Sequence, residues 1–224
     1  MKIEIDMGTA PGGASALIDL EELLATRLLV QGNSGSGKSH LLRRLLEQSA
    51  PWVQQCIVDP EGDFVTLADR FGHLVVDANR PLEELDVIAQ RVRQHRVSTV
   101  LNLEGLEIEG QMRAAAAFLN ALFDAERDHW YPMLVVVDEA QMFAPVAAGE
   151  FSDDERTANI GGLMDWFPEG AYGQTFVLAP SFCLRLGAED SLLLASAVQQ
   201  EGMAILLQSE LSGKPDLLGC AFGS

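Results

Sequence analysis

The sequence has little basic charge. Only 15 of its 224 residues are lysine or arginine, against 33 aspartates and glutamates, which gives a net charge of −18. A chain this acidic has no overall attraction for DNA or for anionic membranes, so a nucleic-acid contact would need a local basic segment. The densest such segment, residues 91–96, is interpreted either as a DNA contact or as the solvated end of a helix, where the helix dipole favours cations.

Cysteines are few and long apolar runs are absent. Cys56, Cys183 and Cys220 are odd in number and widely spaced, which fits neither a disulfide framework nor a zinc motif. No apolar run approaches the roughly 20 residues of a membrane-spanning helix, and the first residues alternate like a strand instead of forming the apolar block of a signal peptide. Since 48% of the residues are hydrophobic, the chain is globular. These features predict a cytoplasmic protein with buried thiols and no membrane partner.

Short apolar segments alternate with amphipathic ones along the chain. Strands are predicted at residues 3–5, 28–30, 56–58, 74–76, 99–103, 134–137, 176–178 and 204–207, and helices at residues 41–48, 82–93, 112–125 and 192–198. Apolar, non-alternating strands separated by helices are typical of a parallel sheet that is covered on both faces. We therefore predict an α/β fold, with a short N-terminal β element and loop over residues 1–16 and one larger domain over residues 17–224.

One segment carries the pattern of a phosphate-binding loop, G-x-x-x-x-G-K-[ST]. It consists of Gly32, Asn33, Ser34, Gly35, Ser36, Gly37, Lys38 and Ser39, and it matches at every fixed position. An apolar strand precedes the segment and a helix with a leucine face follows it, an order that disfavours an ordinary glycine-rich turn. In such loops the backbone N–H groups surround the phosphates, while Lys38 would reach the β- and γ-phosphates and Ser39 would ligate Mg²⁺. The sequence thus predicts ATP and Mg²⁺ as cofactors, with His40 completing the nucleotide-binding segment.

Two further predicted strands end in acidic residues. The apolar residues 133–137 lead directly to Asp138 and Glu139, which is the form of a Walker B element: the aspartate holds Mg²⁺ and the glutamate polarises the attacking water. Many strands end in an acidic turn, but the phosphate loop upstream favours the functional interpretation. After residues 56–58, Asp59 and Glu61 either face the metal or the attacking water, or belong to a tight turn in which the aspartate caps the next helix.

Taken together, residues 32–39, 58–64 and 137–145 resemble the HerA/FtsK superfamily of DNA-pumping P-loop ATPases, particularly its HerA-like branch. The resemblance covers residues 17–166 and implies a RecA-like P-loop NTPase core, with a mostly parallel sheet sandwiched by helices. It also implies a homohexameric ring with ATP sites between subunits, translocation of double-stranded DNA, and a nuclease as a further partner. By the same resemblance Lys38 and Ser39 bind phosphate and Mg²⁺, Asp138 supports the metal and Glu139 is the catalytic base. Gln141 would couple hydrolysis to movement.

The C-terminal part departs from this family. Members carry a basic stretch and then a Thr-Gln pair, whereas this chain has no basic residue at 168–173 and has Pro180 and Ser181 in place of the pair. Residues 166–224 are therefore predicted to be divergent, and a truncated or frameshifted C-terminus is one hypothesis. A trans-acting arginine would have to come from elsewhere. Arg113, on the helix after the strand at residues 99–103, is a candidate, and a solvated helix arginine is the plainer interpretation.

Three functions are compatible with these motifs. The first is an ATPase motor that works on DNA, and the second is an ATP-binding assembly or regulatory module with little or no hydrolysis. DNA-stimulated hydrolysis would distinguish them, because only a motor should show it. The third, a small-molecule kinase, is disfavoured because no arginine-rich lid is evident and because a glutamate directly after Asp138 is typical of ATPases.

Overall fold

The computed structural model describes residues 2–10, 12–25, 27–32, 36–143, 174–179, 203–208 and 215–218. Its strands are β1 (Glu4–Thr9), β2 (Ser15–Asp19), β3 (Arg27–Gly32), β4 (Gln54–Asp59), β5 (Leu74–Asp77), β6 (Thr99–Asn102), β7 (Met133–Asp138), β8 (Gln174–Ala179), β9 (Met203–Gln208) and β10 (Pro215–Leu218). Its helices are α1 (Leu20–Leu24), α2 (Lys38–Ser49), α3 (Leu67–Phe71), α4 (Leu82–His95) and α5 (Ile108–Phe123). Every strand predicted from the sequence has a counterpart. The helix predicted at residues 192–198 lies outside the described residues, as do Pro180 and Ser181.

Eight strands form one sheet in the order β10-β9-β3-β8-β7-β4-β6-β5. All neighbouring strands from β3 to β5 are parallel, whereas β9 runs antiparallel to β3 and β10 runs antiparallel to β9. The prediction of an α/β fold with a mostly parallel sheet is confirmed. Strand β8 lies between β3, which leads towards the phosphate loop, and β7, which ends in Asp138.

The first two strands form a separate antiparallel hairpin, in which Glu4 is opposite Asp19 and Thr9 is opposite Ser15. Strand β2 was not predicted, and it lies across residues 16 and 17, where the N-terminal element was expected to end. The division of the chain into residues 1–16 and 17–224 stays a prediction. No helix among the described residues is long and apolar enough to cross a membrane, and the cytoplasmic location also stays a prediction.

Helices cover both faces of the sheet because the strands carry apolar residues on both sides, where successive residues point in opposite directions. On β4, Ile57 packs in one hydrophobic cluster with α1, α2 and the hairpin, while Val58 packs in a second cluster with α4 and α5. The buried thiol of Cys56 belongs to the second cluster, and burial raises its pKa to about 12. The other two cysteines lie outside the described residues. These two layers are the sandwich that the apolar strands predict.

Helix α2 follows directly on the phosphate loop. It begins after Gly37, whose φ of +93° lies in the left-handed region that glycine adopts without strain. Its leucines Leu42, Leu45 and Leu46 repeat at helical spacing and are fully buried against the sheet. This packing holds the first turn of α2 at the carboxyl edge of the sheet.

A buried polar network fixes the other end of α2. The side-chain amide of Gln55 donates hydrogen bonds to the carbonyl of Leu46 (2.9 Å) and to the Ser49 hydroxyl (2.8 Å). Its carbonyl oxygen accepts one from Nε2 of His73 (2.8 Å). We expect Gln55→Ala to lower the free energy of unfolding by about 3 kcal/mol, since buried polar groups would lose their partners. Denaturant melts would measure this, with the exposed Gln90→Ala as the control; equal stability of the two variants would contradict it.

Candidate nucleotide-binding site

A pocket of about 500 Å³ lies at the N-terminus of α2, at the carboxyl edge of the sheet. Its lining residues are Gly37, Lys38, Ser39, His40, Arg43, Glu61, Asp63, Phe64 and Glu139. The structure therefore brings together residues of the predicted phosphate loop, the glutamate after β7 and the acidic segment after β4. Ligands of open α/β sheets bind at this edge, where the strands end.

The described part of the phosphate loop suits an anion. Ser36 has a buried hydroxyl with no hydrogen-bond partner among the described residues, and Lys38 is largely buried where it lines the pocket. The first turn of α2 contains no acidic residue, so the helix dipole and the N–H groups at this end of the helix favour a bound phosphate. Gly32 is described only as backbone at the end of β3. Asn33, Ser34 and Gly35 lie outside the described residues.

Asp138 ends β7 in a buried position, with only 2% of its surface exposed. Its Oδ1 accepts a hydrogen bond from the backbone N–H of Glu139 at 3.0 Å. Burial raises the pKa of Asp138 to about 7. The hydrogen bond from Glu139 lowers the pKa, and the nearby carboxylates of Glu139, Asp59 and Asp63 raise it. A cation placed beside Asp138 would relieve this repulsion, so the site suits the predicted Mg²⁺.

Glu139 has an unusual backbone. Its φ is +45°, in the left-handed region, which costs a residue with a side chain on the order of 1 kcal/mol. The carbonyl of Glu139 accepts a hydrogen bond from the N–H of Met142 (2.9 Å), and Ala140 and Phe143 are buried in the next turn. These contacts hold the strained turn in place. They set the half-buried side chain of Glu139 in the pocket wall.

Asp59 forms a turn rather than part of the pocket lining. Its carboxylate is fully buried and accepts hydrogen bonds from the N–H groups of Asp63 (3.0 Å) and Phe64 (2.8 Å). Burial raises the pKa of Asp59, against the effect of these bonds. Of the two interpretations open from the sequence, these contacts match the tight turn, although the aspartate caps the turn itself and not α3. Glu61, two residues on, lines the pocket.

Three pocket residues were not identified from the sequence: Arg43, Asp63 and Phe64. Arg43 donates from Nη2 to the carbonyl of Asp63, and its guanidinium lies 5.7 Å from the centre of the Phe64 ring. The sequence could have predicted that Arg43 lies near the site, because it follows Ser39 by four residues and is therefore on the same helix face. Asp63 and Phe64 belong to the acidic segment after β4, whose acids were predicted to face the metal or to form a tight turn, but neither residue was named as a candidate.

The remaining candidates lie elsewhere. Gln141 belongs to the short turn Ala140–Phe143, and its side chain is outside the described residues. Arg113 is exposed on α5 and does not line the pocket.

In the basic segment at residues 91–96, Arg93 is fully buried and donates to the carbonyl of Tyr131 (3.0 Å), so the interpretation as a solvated helix end is wrong for this residue. Arg96 stacks over the Tyr131 ring, 3.1 Å from its centre.

A family model described as an AAA ATPase domain matches residues 19–165, which is well over half of the chain. The chain belongs to this family of AAA ATPase domains. The matched range contains the phosphate loop, the turn after β4, and β7 with Asp138 and Glu139, so the predicted P-loop NTPase core and ATP binding are confirmed at the level of the family. No curated protein gives a significant match to the chain. These comparisons do not show the narrower assignment to the HerA/FtsK superfamily.

The acidic side chains that the structure describes do not form a metal site by themselves. Among the described residues, no group of three or more His, Cys, Asp or Glu side chains could hold a metal ion. Mg²⁺ commonly takes only one or two protein ligands and completes its shell with phosphate oxygens and water. Ser39 and Asp138 fit that arrangement, which requires the nucleotide to bring the remaining ligands.

Proposed function

We propose that this AAA ATPase domain is a Mg²⁺-dependent ATP hydrolase of the HerA/FtsK type. The observation that supports hydrolysis most directly is that Glu139 lines the same pocket as Lys38 and Ser39. A carboxylate beside a phosphate-binding loop is positioned to act on a water molecule there. The strained backbone of Glu139 agrees with this role, since such strain is found mainly at functional sites.

Each residue has a distinct task in the proposed reaction. Lys38 and the N–H groups at the start of α2 bind the phosphates and stabilise the charge that develops on them. Ser39 and Asp138 would hold Mg²⁺, which when bound neutralises phosphate charge. Glu139 accepts a proton from the attacking water. The buried position of Asp138 and Lys38 limits competition from solvent.

We further propose that hydrolysis drives movement on double-stranded DNA within a homo-oligomeric ring. Support comes from the three motif segments shared with the HerA/FtsK superfamily and from the family membership itself, since P-loop ATPases of this kind place ATP between subunits. Arg113 is exposed on α5 and is thus available to a neighbouring subunit. An arginine supplied in trans raises turnover by orders of magnitude in other P-loop enzymes.

The test is Mg²⁺-dependent ATP turnover of the full chain, with and without double-stranded DNA. We expect DNA to raise turnover severalfold and Lys38→Ala to abolish it under both conditions, because the lysine is needed for phosphate binding. Equal turnover with and without DNA would contradict the translocase. Turnover that persists in Lys38→Ala would contradict the assignment of the pocket.

A second function, an ATP-binding assembly module with little hydrolysis, is favoured by one observation. Pro180 and Ser181 replace the Thr-Gln pair of the HerA/FtsK family, and the preceding basic stretch is missing. Tight binding of a fluorescent ATP analogue that is lost in Lys38→Ala, together with no turnover in the unmodified chain, would support this function over the motor.

A further inference from the structure

Two neighbouring arginines of α2 bind different parts of the molecule. Arg44 donates from Nε to the carbonyl of Asp6 (2.7 Å) and pairs with the Asp6 carboxylate (3.2 Å), which ties α2 to the hairpin. Arg43 lines the nucleotide pocket and donates from Nη2 to the carbonyl of Asp63. We call residues 60–64 the β4 turn. Arg43 thus ties α2 to the β4 turn, and the proposed reaction gives it no task.

An ion pair does not explain the position of Arg43. Its Nη1 lies 3.9 Å from Oε1 of Glu47, and the two side chains are 30% and 31% exposed. A long, partly exposed pair within one helix contributes little to stability. The guanidinium instead lies 5.7 Å from the centre of the Phe64 ring, which is fully buried in the same hydrophobic cluster as the leucines of α2. Arg43 therefore holds the β4 turn by a hydrogen bond and by a cation–π contact.

Two further anchors of the β4 turn come from the sheet and from α5. The buried carboxylate of Asp59 accepts the N–H groups of residues 63 and 64, and Gln111 donates to the carbonyl of Pro60 at 3.4 Å. Neither anchor fixes the turn relative to α2, the helix that begins with the phosphate-binding residues. Packing of the buried ring draws the turn towards α2, but hydrophobic contact has no preferred direction. The directional bond from Arg43 sets where the turn lies against this helix.

We propose that Arg43 is a positioning residue for ATP hydrolysis, which holds the β4 turn at a fixed place in the pocket wall. The turn matters to the reaction because Glu61 and Asp63 line the same pocket as Glu139, so their positions influence the charge and the water around the proposed base. In such a site a displacement of about 1 Å can lower a rate by about 100-fold. The inference rests on the proposed hydrolase, but the anchoring of the turn can also be measured without turnover.

The test compares Arg43→Ala with Arg44→Ala, a matched control that removes an arginine and its bond to a carbonyl from the next position of α2. Turnover of Mg²⁺-ATP gives kcat, and calorimetry with a non-hydrolysable analogue gives the dissociation constant. For Arg43→Ala we expect kcat to fall at least about tenfold and the dissociation constant to stay within about threefold of the unmodified value, because Lys38 and the start of α2 remain. Arg44→Ala should keep the unmodified kcat. An unchanged kcat in Arg43→Ala, or equal losses in the two variants, would overturn the proposal.

A third variant, Arg43→Lys, separates positioning from charge. Lysine keeps the positive charge but lacks the planar group that can donate to a carbonyl while it covers a ring, so we expect kcat to stay low. Normal turnover of Arg43→Lys would show that charge alone is needed. A loss of affinity in Arg43→Ala as large as its loss of kcat would show that the arginine binds the nucleotide directly. Either result would overturn the positioning role.

Amide hydrogen exchange measures the anchoring of the β4 turn directly. The N–H groups of residues 63 and 64 are bonded to Asp59, so their exchange reports on opening of the turn. We expect faster exchange in Arg43→Ala than in Arg44→Ala, and equal exchange would overturn the proposal whatever the turnover. If the unmodified chain binds ATP without hydrolysing it, the proposed hydrolase fails, whereas faster exchange confined to Arg43→Ala still supports Arg43 as the residue that positions the turn.

Discussion

Replacement of Glu139 by glutamine is expected to lower kcat for ATP hydrolysis by about 10²–10⁴-fold while nucleotide binding is retained. Glutamine has nearly the same shape as glutamate and can adopt the same place in the pocket wall, but it cannot accept a proton from water. The phosphate-binding groups, Lys38 and the start of α2, lie on a different chain segment, so we expect them to keep their positions in the variant. A fall in kcat without a rise in the dissociation constant is the signature of a group that acts on the reaction itself.

A second substitution at this position separates function from stability. Because Glu139 has a φ of +45°, Glu139→Gly would relieve backbone strain while it increases the entropy of the unfolded chain, and these effects are of similar size. We expect its free energy of unfolding to lie within about 1 kcal/mol of the unmodified value. Its turnover should be as low as that of Glu139→Gln.

Single-turnover hydrolysis and binding of a fluorescent ATP analogue would measure both effects. Normal turnover of Glu139→Gln would show that another group activates the water, and Glu61 or Asp63 would then be the nearest carboxylates of the pocket to examine. Severe unfolding of Glu139→Gly would show instead that the glutamate side chain is required by the fold. The first outcome would contradict the assignment of Glu139 as the base, and the second would contradict the expected stability of Glu139→Gly.

The position of the pocket could be predicted because it depends on strand direction. Lys38 follows one strand and Asp138 ends another, and in a parallel sheet both strand ends lie at the same edge. This inference needs only the motifs and the alternation of strands and helices. It does not need the strand order, and the sequence did not give a reason to expect β8 between β3 and β7.

Details that depend on contacts between distant residues could not be predicted. Whether Asp59 faces the metal or the turn is decided by the path of the chain after β4, where its carboxylate meets the N–H groups of residues 63 and 64. A short apolar segment does not reveal the direction of a strand, so the antiparallel direction of β9 could not be predicted. Helices α1 and α3 have five residues each, too few for a helical period to be recognised.

Asp138→Asn is expected to stabilise the ligand-free domain at pH 8 and to weaken its Mg²⁺-dependent nucleotide binding. The folded pKa of Asp138 is about 7, against an ordinary value of 3.8. At a pH between these two values, the Asp138 carboxyl is therefore mostly protonated in the folded state and mostly ionised in the unfolded state. Stability therefore falls as the pH rises from about 4 to about 7, and the cost persists above pH 7. The shift corresponds to up to about 4 kcal/mol.

Asparagine removes this cost because it has no charge to bury, and its carbonyl oxygen can still accept the N–H of Glu139. We expect a gain of about 2–4 kcal/mol at pH 8, since the new amide group must also find a partner, and almost no gain near pH 4. Denaturant melts in EDTA across this pH range would measure it. The control is Asp69→Asn, an equal change of charge at an exposed position on α3, which should alter stability by less than about 0.5 kcal/mol at every pH.

The pH dependence is what identifies the cause. A gain that is equal at pH 4 and pH 8 would mean that the asparagine merely packs better, and a loss at pH 8 would mean that the ionised carboxylate is stabilised by neighbours in the folded state. Both results would contradict a buried, destabilising charge. If the gain grows between about pH 4 and pH 7, persists above pH 7, and Mg²⁺-dependent binding weakens in the same variant, then this AAA ATPase domain retains at Asp138 a carboxylate that destabilises the empty fold. The function of this carboxylate would then be to bind the cation that enters the pocket with the nucleotide.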